Sequence, residues 1–579
     1  MLNLINKYLK GPARFFAVLA PLTMLVEVFM DLQQPTLMSD IIDVGVANGD
    51  MAYILRIGLK MVAFAVIGFI GGASCSLFAC KAGVSMSGEL RQALFEKIQS
   101  LSFSEIDHFK TSSLITRMTN DVIQVQNMLL MMLRIMVRSP LLCLGGIVMS
   151  YLLSPQLSLI FCVILPILIV SIYFVLLKSI PVFTQVQIRL DRVNTVMREN
   201  LLGIRVVKSL ALEPKQFERF TGVNDALTEK SIQAQNMTFL LMPVVTLLMN
   251  ASTVFILWAG GNMVILHNFE VGKIMAFVNY MVQITNSLMM TIGLVINISR
   301  AQASAERIDE VFATQPTIRE DPRPQAPGNY DIEFRNVSFR YGQSGEPVLK
   351  NLSFTVRQGE TLGIIGATGS GKSSLVNLIP RLYDVNTGQV LLGNVDIRKV
   401  GLEELRRNIG IVMQESILFW GTIQSNLCYG DENASENDLI RASADAQALD
   451  FIQALPQAFE SPVEQRGRNF SGGQKQRLSI ARTLLKKPKI LILDDASSAL
   501  DLKTESKLRA ALIARARGST LIVIAQRISA VMEADQILVL DHGEISAVGN
   551  HSELLQTSEI YRSIAVSQLG EEVVTYGSR

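Results

Sequence analysis

The sequence predicts an α-helical membrane domain of six transmembrane helices with long cytoplasmic extensions, followed by an α/β P-loop domain of the ATPase type. Three observations carry that reading. Ser139 to Leu177 is an apolar run without a charged residue, residues 313–330 are rich in proline and charge, and GATGSGKS, Gly366 to Ser373, directly follows a strand-like TLGIIG.

Size and composition set the frame. A chain of 579 residues exceeds what one hydrophobic core organises, so at least two domains are expected. Hydrophobic residues make up 49% and charged residues 18%, a balance that favours a membrane protein with a soluble part. The net charge of +2 offers no electrostatic case for a nucleic-acid partner. Cys75, Cys80, Cys143, Cys162 and Cys428 show no paired short spacing and read as packing residues rather than metal ligands or disulfides. Basic residues precede an apolar run at the N-terminus as in a signal peptide. That run lacks a clear cleavage site and reads as a retained first span.

The uncharged run 139–177 is about two bilayer cores long as a helix, so it must fold back on itself. Ser154-Pro155-Gln156 is the natural turn. Further apolar stretches bring the expected spans to six, at about 15–37, 54–80, 132–153, 157–177, 238–266 and 273–298. Lys7, Lys10 and Arg14 precede the first span. Lys81, Arg91, Lys97, Lys110 and Arg117 lie between the second and third, and Lys178 to Lys230 spans a basic stretch between the fourth and fifth. Lys and Arg collect on the cytoplasmic side, which puts both termini there. The two long basic connections carry helical patterning and are expected to extend the spanning helices, reversing near FSEIDHF (Phe103 to Phe109) and EPKQFERF (Glu213 to Phe220). A linker at 313–330 then leads to short β-rich runs alternating with helical ones, an α/β domain at 331–579.

GATGSGKS fits the phosphate-loop pattern in its strand-loop-helix context. Its glycines let backbone N–H groups converge on phosphate oxygens, which makes Gly366, Thr368, Gly369, Ser370, Gly371, Lys372, Ser373 and Ser374 candidate nucleotide-binding residues. Lys372 reaches terminal phosphates, and the Ser373 hydroxyl suits Mg²⁺. Asp494, ending the buried strand-like ILILD, is placed to hold that magnesium, partly through water. ATP and Mg²⁺ are therefore the expected ligands.

NFSGGQKQRLSIAR, Asn469 to Arg482, resembles the signature region of ABC transporter nucleotide-binding domains, and the whole layout resembles an ABC exporter half-transporter. The resemblance implies that Tyr341 in FRYG stacks on adenine and that Gln414 in VMQE touches Mg²⁺. It implies that Ser471, Gly472, Gly473 and Gln474 close over ATP held by an opposing domain, and that SALD, Ser498 to Asp501, is the D-loop at that interface. A signature that serves the opposite site makes pairing with a second half-transporter obligatory.

Four residues depart from the family pattern. Asp495 stands where the catalytic base is usually Glu, one methylene too short at a geometry where about an ångström matters. Gln526 stands where the family places a His, and Gln465 replaces a usual Glu before the signature. Phe470 replaces the usual Leu, leaving SGGQ itself intact. The closest resemblance is to the degenerate-site subunit of bacterial heterodimeric multidrug exporters, whose partner would supply Glu and His. Glu27 and Asp31, four apart on one face of the first span, are candidates for attracting small cationic amphiphiles or for a gate. Methionine is abundant, at 24 residues, and suits an adaptable cavity. A lipid or peptide exporter and an ATP-gated regulator or channel are the alternatives; six spans disfavour a soluble ATPase acting on nucleic acid.

Overall fold

A computed structural model describes residues 1–266, 269–342, 345–496, 500–515 and 518–570. The chain divides into two compact units: residues 1–97 with 112–313, and residues 98–111 with 314–579. The first is entirely helical. Its long helices are α1 (Pro12–Asp40), α2 (Met51–Gln99), α4 (Val122–Leu153), α5 (Pro155–Leu202), α6 (Glu213–Phe239), α7 (Leu241–Ile265) and α8 (Val271–Ala313), while α3 (Phe103–Phe109) belongs to the second unit.

Five helical stretches among the described residues are long and apolar enough to cross a membrane: Pro12–Val46, Met51–Gln99, Thr111–Leu153, Pro155–Leu202 and Glu213–Ile265. The expected sixth span, 273–298, falls within the single helix α8. Apolar side chains including Leu59, Phe69 and Leu152 are exposed on this unit, as expected of helices that face lipid. Ser154 makes the turn expected of it: it leaves helical geometry at φ −157° and accepts a hydrogen bond from Leu157 N–H, with Pro155 at the first helical position. Proline suits that position because its missing N–H would be unsatisfied there anyway.

The helices run well past their apolar stretches, as the patterning requires. Arg117 Nη1 meets Glu310 at 2.7 Å, and Arg307 pairs with Asp121, tying the extension before α4 to that of α8. The first reversal lies at α3, Phe103–Phe109, and begins with a capping box between Ser102 and Glu105. The second lies earlier than expected. A short helix at Ile204–Ser209 turns the chain after Gly203, and Glu213–Phe220 instead begins α6. The reason is local: Gly203 weakens helix propagation and Ala211 takes a positive φ of 51°, so the break precedes the acidic first turn.

The second unit holds two main sheets. The strands β1 (Ile332–Phe339), β2 (Leu349–Val356), β3 (Thr361–Ile365), β4 (Thr387–Leu392), β5 (Val395–Asp396), β6 (Ile409–Val412), β7 (Ile490–Asp494), β8 (Thr520–Ile524), β9 (Gln536–Asp541) and β10 (Glu544–Gly549) build them. The four-stranded sheet has the order β2-β1-β4-β5 and is antiparallel. The six-stranded sheet has the order β10-β9-β3-β8-β7-β6, parallel except for β10. Its central strands are nearly continuous apolar runs because helices cover both faces. β3, β7 and β8 lie side by side in register, so the loops at their C-terminal ends converge. Within this unit α3 packs on Tyr383, whose hydroxyl donates to Asp107 at 2.7 Å.

Candidate nucleotide site

β3 delivers its chain into a loop that tolerates only glycine at key points. A Cβ on Gly366 would lie 2.1 Å from the Leu540 carbonyl oxygen and 2.9 Å from Ser370 Oγ. Gly369 and Gly371 take φ of +84° and +101°, where side chains are strained. Gly371 caps α9 (Lys372–Leu378). Lys372 is buried, and its Nζ donates to the carbonyls of Gly366 and Ala367, each at 2.8 Å. Burial pushes its ammonium below the usual lysine range, opposed by the Asp495 and Asp494 carboxylates.

The next two hydroxyls point in different directions. Ser373 Oγ donates to Asp494 Oδ1 at 3.0 Å, across from the end of β7, while Ser374 Oγ lies 3.0 Å from the Tyr341 hydroxyl. The Tyr341 ring is held edge-on against Phe339 and Tyr383, at 4.9 and 5.2 Å between centroids, and is 43% exposed. An aromatic face therefore stands beside the phosphate loop.

Asp494 and Asp495 are both buried, and burial raises both above the usual carboxylate range. Asp495 takes a positive φ of 49° immediately after β7, a conformation Asp accepts more readily than most residues. Its N–H still donates to Ile524 O at 3.1 Å. Its Oδ2 accepts from Gln526 Nε2 at 2.9 Å and, more weakly, from Gln414 Nε2 at 3.5 Å. These groups line one cavity of about 310 Å³ with Thr368, Gly369, Gly371, Lys372, Ser373 and Ser374. Buried Ser370 Oγ has no hydrogen-bond partner among the described residues. A hydroxyl and a carboxylate in contact form the hard oxygen set that Mg²⁺ prefers, so Ser373, Asp494 and the adjacent Gln414 fit that ion.

The signature residues stand apart from this cavity. Ser471 caps α10 (Gly472–Leu485): its Oγ accepts from Gln474 N–H at 3.3 Å, and Gln474 Oε1 accepts from Ser471 N–H at 2.9 Å. Gly472 is exposed, with Gly473 and Gln474 part-buried beside it. Phe470 packs inward with Leu478, so the substitution for Leu keeps an apolar anchor. Asp501 caps the next helix by accepting from Thr504 N–H at 3.0 Å and from its hydroxyl at 2.8 Å. Ser498 and Ala499 lie outside the described residues. Gln465 opens a tight turn whose second residue, Arg466, takes φ 58°.

Two family models match the chain: the ABC transporter transmembrane region over residues 18–288 and the ABC transporter domain over residues 349–498. A Bacillus subtilis protein named uncharacterized ABC transporter ATP-binding protein YfiB is 43% identical, covering 97% of this chain and 98% of the relative. The chain belongs to the ABC transporter family. Two more distant ABC relatives carry different substrate names. An ATP-dependent lipid A-core flippase of Syntrophus aciditrophicus is 34% identical over 85% of this chain and 82% of its own length. A putative multidrug export protein of Bacillus subtilis, YgaD, is 33% identical over 83% of each. A solved bacterial Atm1-family ABC exporter with ATP bound superposes with a TM-score of 0.78 at 26% identity, covering 96% of this chain and 98% of that one. This ABC chain is thus a multi-pass half-transporter of the exporter fold, whose ATPase domain binds ATP and couples its hydrolysis to transport.

Two functional groups escape a motif reading of the ABC chain. Gln568, in the helix α11 (Glu559–Leu569), donates from Nε2 to Gln526 O and accepts at Oε1 from Ile528 N–H, both at 2.8 Å. It clamps the loop that carries Gln526, and nothing in the sequence near residue 568 signals this. The second is Arg138 on α4. Its Nη1 lies 3.1 Å from Glu27 Oε1 and its Nη2 3.0 Å from Asp31 Oδ2. The two acids do share a face, as their spacing requires, and their counter-charge comes from the same chain. An arginine within an expected span is a functional flag in its own right.

Proposed function

We propose that this chain is one half of a heterodimeric ABC exporter of hydrophobic or amphiphilic compounds in a bacterial cell membrane, and that it contributes the slowly hydrolysing ATP site. The observation that carries the proposal is the hydrogen-bonded pair Asp495–Gln526 beside an otherwise complete phosphate loop. Tyr341 offers a face to adenine, the loop from Gly366 to Ser374 cradles phosphates, and Ser373, Asp494 and Gln414 hold magnesium. That ion, when bound, neutralises charge on the terminal phosphates. Asp495 is short for a base that must reach an attacking water, and its Oδ2 already accepts from two amides, which spends lone pairs a base would use. Gln526 cannot take up a proton as an imidazole can. Binding is kept and cleavage is slow.

The intact signature, Ser471 to Gln474, would complete the site of a partner carrying Glu and His. Basic residues gathered on the connections between spans support cytoplasmic termini. Arg138 pairs both Glu27 and Asp31, so a cation drawn to these acids would have to displace it. Lipid export is the second reading, supported by the flippase relative. Affinity purification from native membranes, followed by sequencing of what co-purifies, tests the pairing. A half-transporter with Glu and His at the matching positions is the expected result, and self-association alone with ordinary ATPase turnover overturns it.

A further inference from the structure

A second cavity, of about 640 Å³, lies within the membrane unit, bounded by α1, α2 and α4 with Met290 from α8. This volume falls in the range of about 300–1,000 Å³ that holds a drug-sized ligand. Apolar surface from Met24, Phe69, Ile135 and Met290 faces four charged groups, Glu27, Asp31, Arg134 and Arg138.

Three of the four are committed. Arg138 bridges both acids, and the Glu27 carboxylate is also packed against α2, where Gly72 makes room for it: a Cβ on Gly72 would lie 2.4 Å from Glu27 Oε2. Arg134, one turn before Arg138 on the same helix face, is exposed and makes no hydrogen bond or ion pair among the described residues. The cavity's two acids and two arginines balance in charge and Arg134 acts on Glu27 at a distance, but its own fork of N–H donors is left open, and that fork matches phosphate and carboxylate oxygens. A cationic head would instead have to displace Arg138 from two carboxylates at once.

We propose that this cavity binds an amphiphile by its anionic head, a phosphate or carboxylate held by Arg134, with the tail laid on the methionine and aromatic wall. The proposal rests on the export reading, whose cargo it assigns to a chemical class. The complex purified from native membranes, in nanodiscs, is titrated with dodecyl phosphate, dodecyltrimethylammonium and inorganic phosphate, each below its micellar concentration. Dodecyl phosphate is expected to bind at least about tenfold more tightly than the other two. Arg134→Ala should erase the preference and Arg134→Lys should retain most of it. Equal or tighter binding of the cation, inorganic phosphate binding as well as its alkyl ester, or full affinity in Arg134→Ala each overturns the site. If Arg134→Ala fails to assemble, the ranking of the three probes on the native complex decides alone. ATP-dependent uptake into inverted vesicles separates the two readings: binding without uptake of dodecyl phosphate removes the export reading and leaves the site, while uptake of the cation alone does the reverse.

Discussion

The acids of the nucleotide site and the acids of the membrane unit are both paired in sequence and both part-removed from water, yet they meet opposite partners. Asp494 and Asp495 accept hydrogen bonds from neutral donors, Ser373, Gln414 and Gln526, with the Lys372 ammonium acting on both, whereas Glu27 and Asp31 pair directly with the guanidinium of Arg138. Hydroxyls and amides orient a carboxylate without cancelling its charge, which leaves that charge available for a divalent cation. A lipid-embedded unit has no such ion to wait for, so its counter-charge is built in. The contrast separates acids kept for a ligand from acids kept for the fold.

The sharpest way to break the comparison is to restore the hydrolytic residues. In the isolated complex, with the hydrolytic site of the proposed partner silenced, Asp495→Glu together with Gln526→His should raise ATP turnover by about 100-fold, the scale of a correctly placed general base. The readout is phosphate release under saturating Mg-ATP. Turnover that stays at the starting level would mean that residues other than these two limit the site.

Removing the built-in counter-charge is the next largest effect. Arg138→Met leaves two acids facing each other with only the more distant charge of Arg134 to offset them. Because Arg138 is 37% exposed, the penalty for breaking a fully buried pair is discounted to about 1–2 kcal/mol. Thermal unfolding in detergent should show a lower Tm, largely recovered when Glu27→Gln and Asp31→Asn are added. If the single variant unfolds like the parent, the acids are better described as water-facing than as paired.

Gln568 tests how the loop carrying Gln526 is held. Gln568→Ala removes two hydrogen bonds to the loop carrying Gln526. Loss of about 1 kcal/mol of local stability corresponds to about fivefold faster amide exchange at residues 526–528, read by mass spectrometry, with exchange in β7 unchanged. Exchange that stays slow would assign the loop's order to its own packing.

Legibility followed sequence distance. The phosphate loop could be read because its chemistry is compressed into eight consecutive residues whose backbone must fit phosphate, and the two-acid strand tip could be read for the same reason. The Ser154 turn was legible because proline and serine act on their own backbone. Arg138 and Gln568 were not: one meets acids more than a hundred residues earlier and the other clamps a loop about forty residues earlier, and only the folded helices create those contacts. The second reversal was displaced by some ten residues because apolar periodicity continues through Gly203, where the backbone breaks and the pattern does not.

The smallest effect isolates what an ion-ready carboxylate costs. Burial raises Asp494 above its usual range despite the Ser373 hydrogen bond, while the unfolded chain titrates near about 3.9. A group raised on folding contributes stability that is full below its unfolded pKa and is lost as pH rises through its folded pKa. Near neutral pH the ATP-free protein therefore carries a desolvated charge, and Asp494→Asn should raise its Tm at pH 7.5 by about 2 °C. The gain should shrink as pH falls through the parent carboxyl's raised range, where it takes up its proton. Mg-ATP should reverse the order at pH 7.5, because ligand binding to the folded state stabilises in proportion to affinity and an amide is a poorer magnesium ligand than a carboxylate. Equal stabilisation of both forms by Mg-ATP would remove Asp494 from the metal site, and with it the reason for burying an acid at this strand tip.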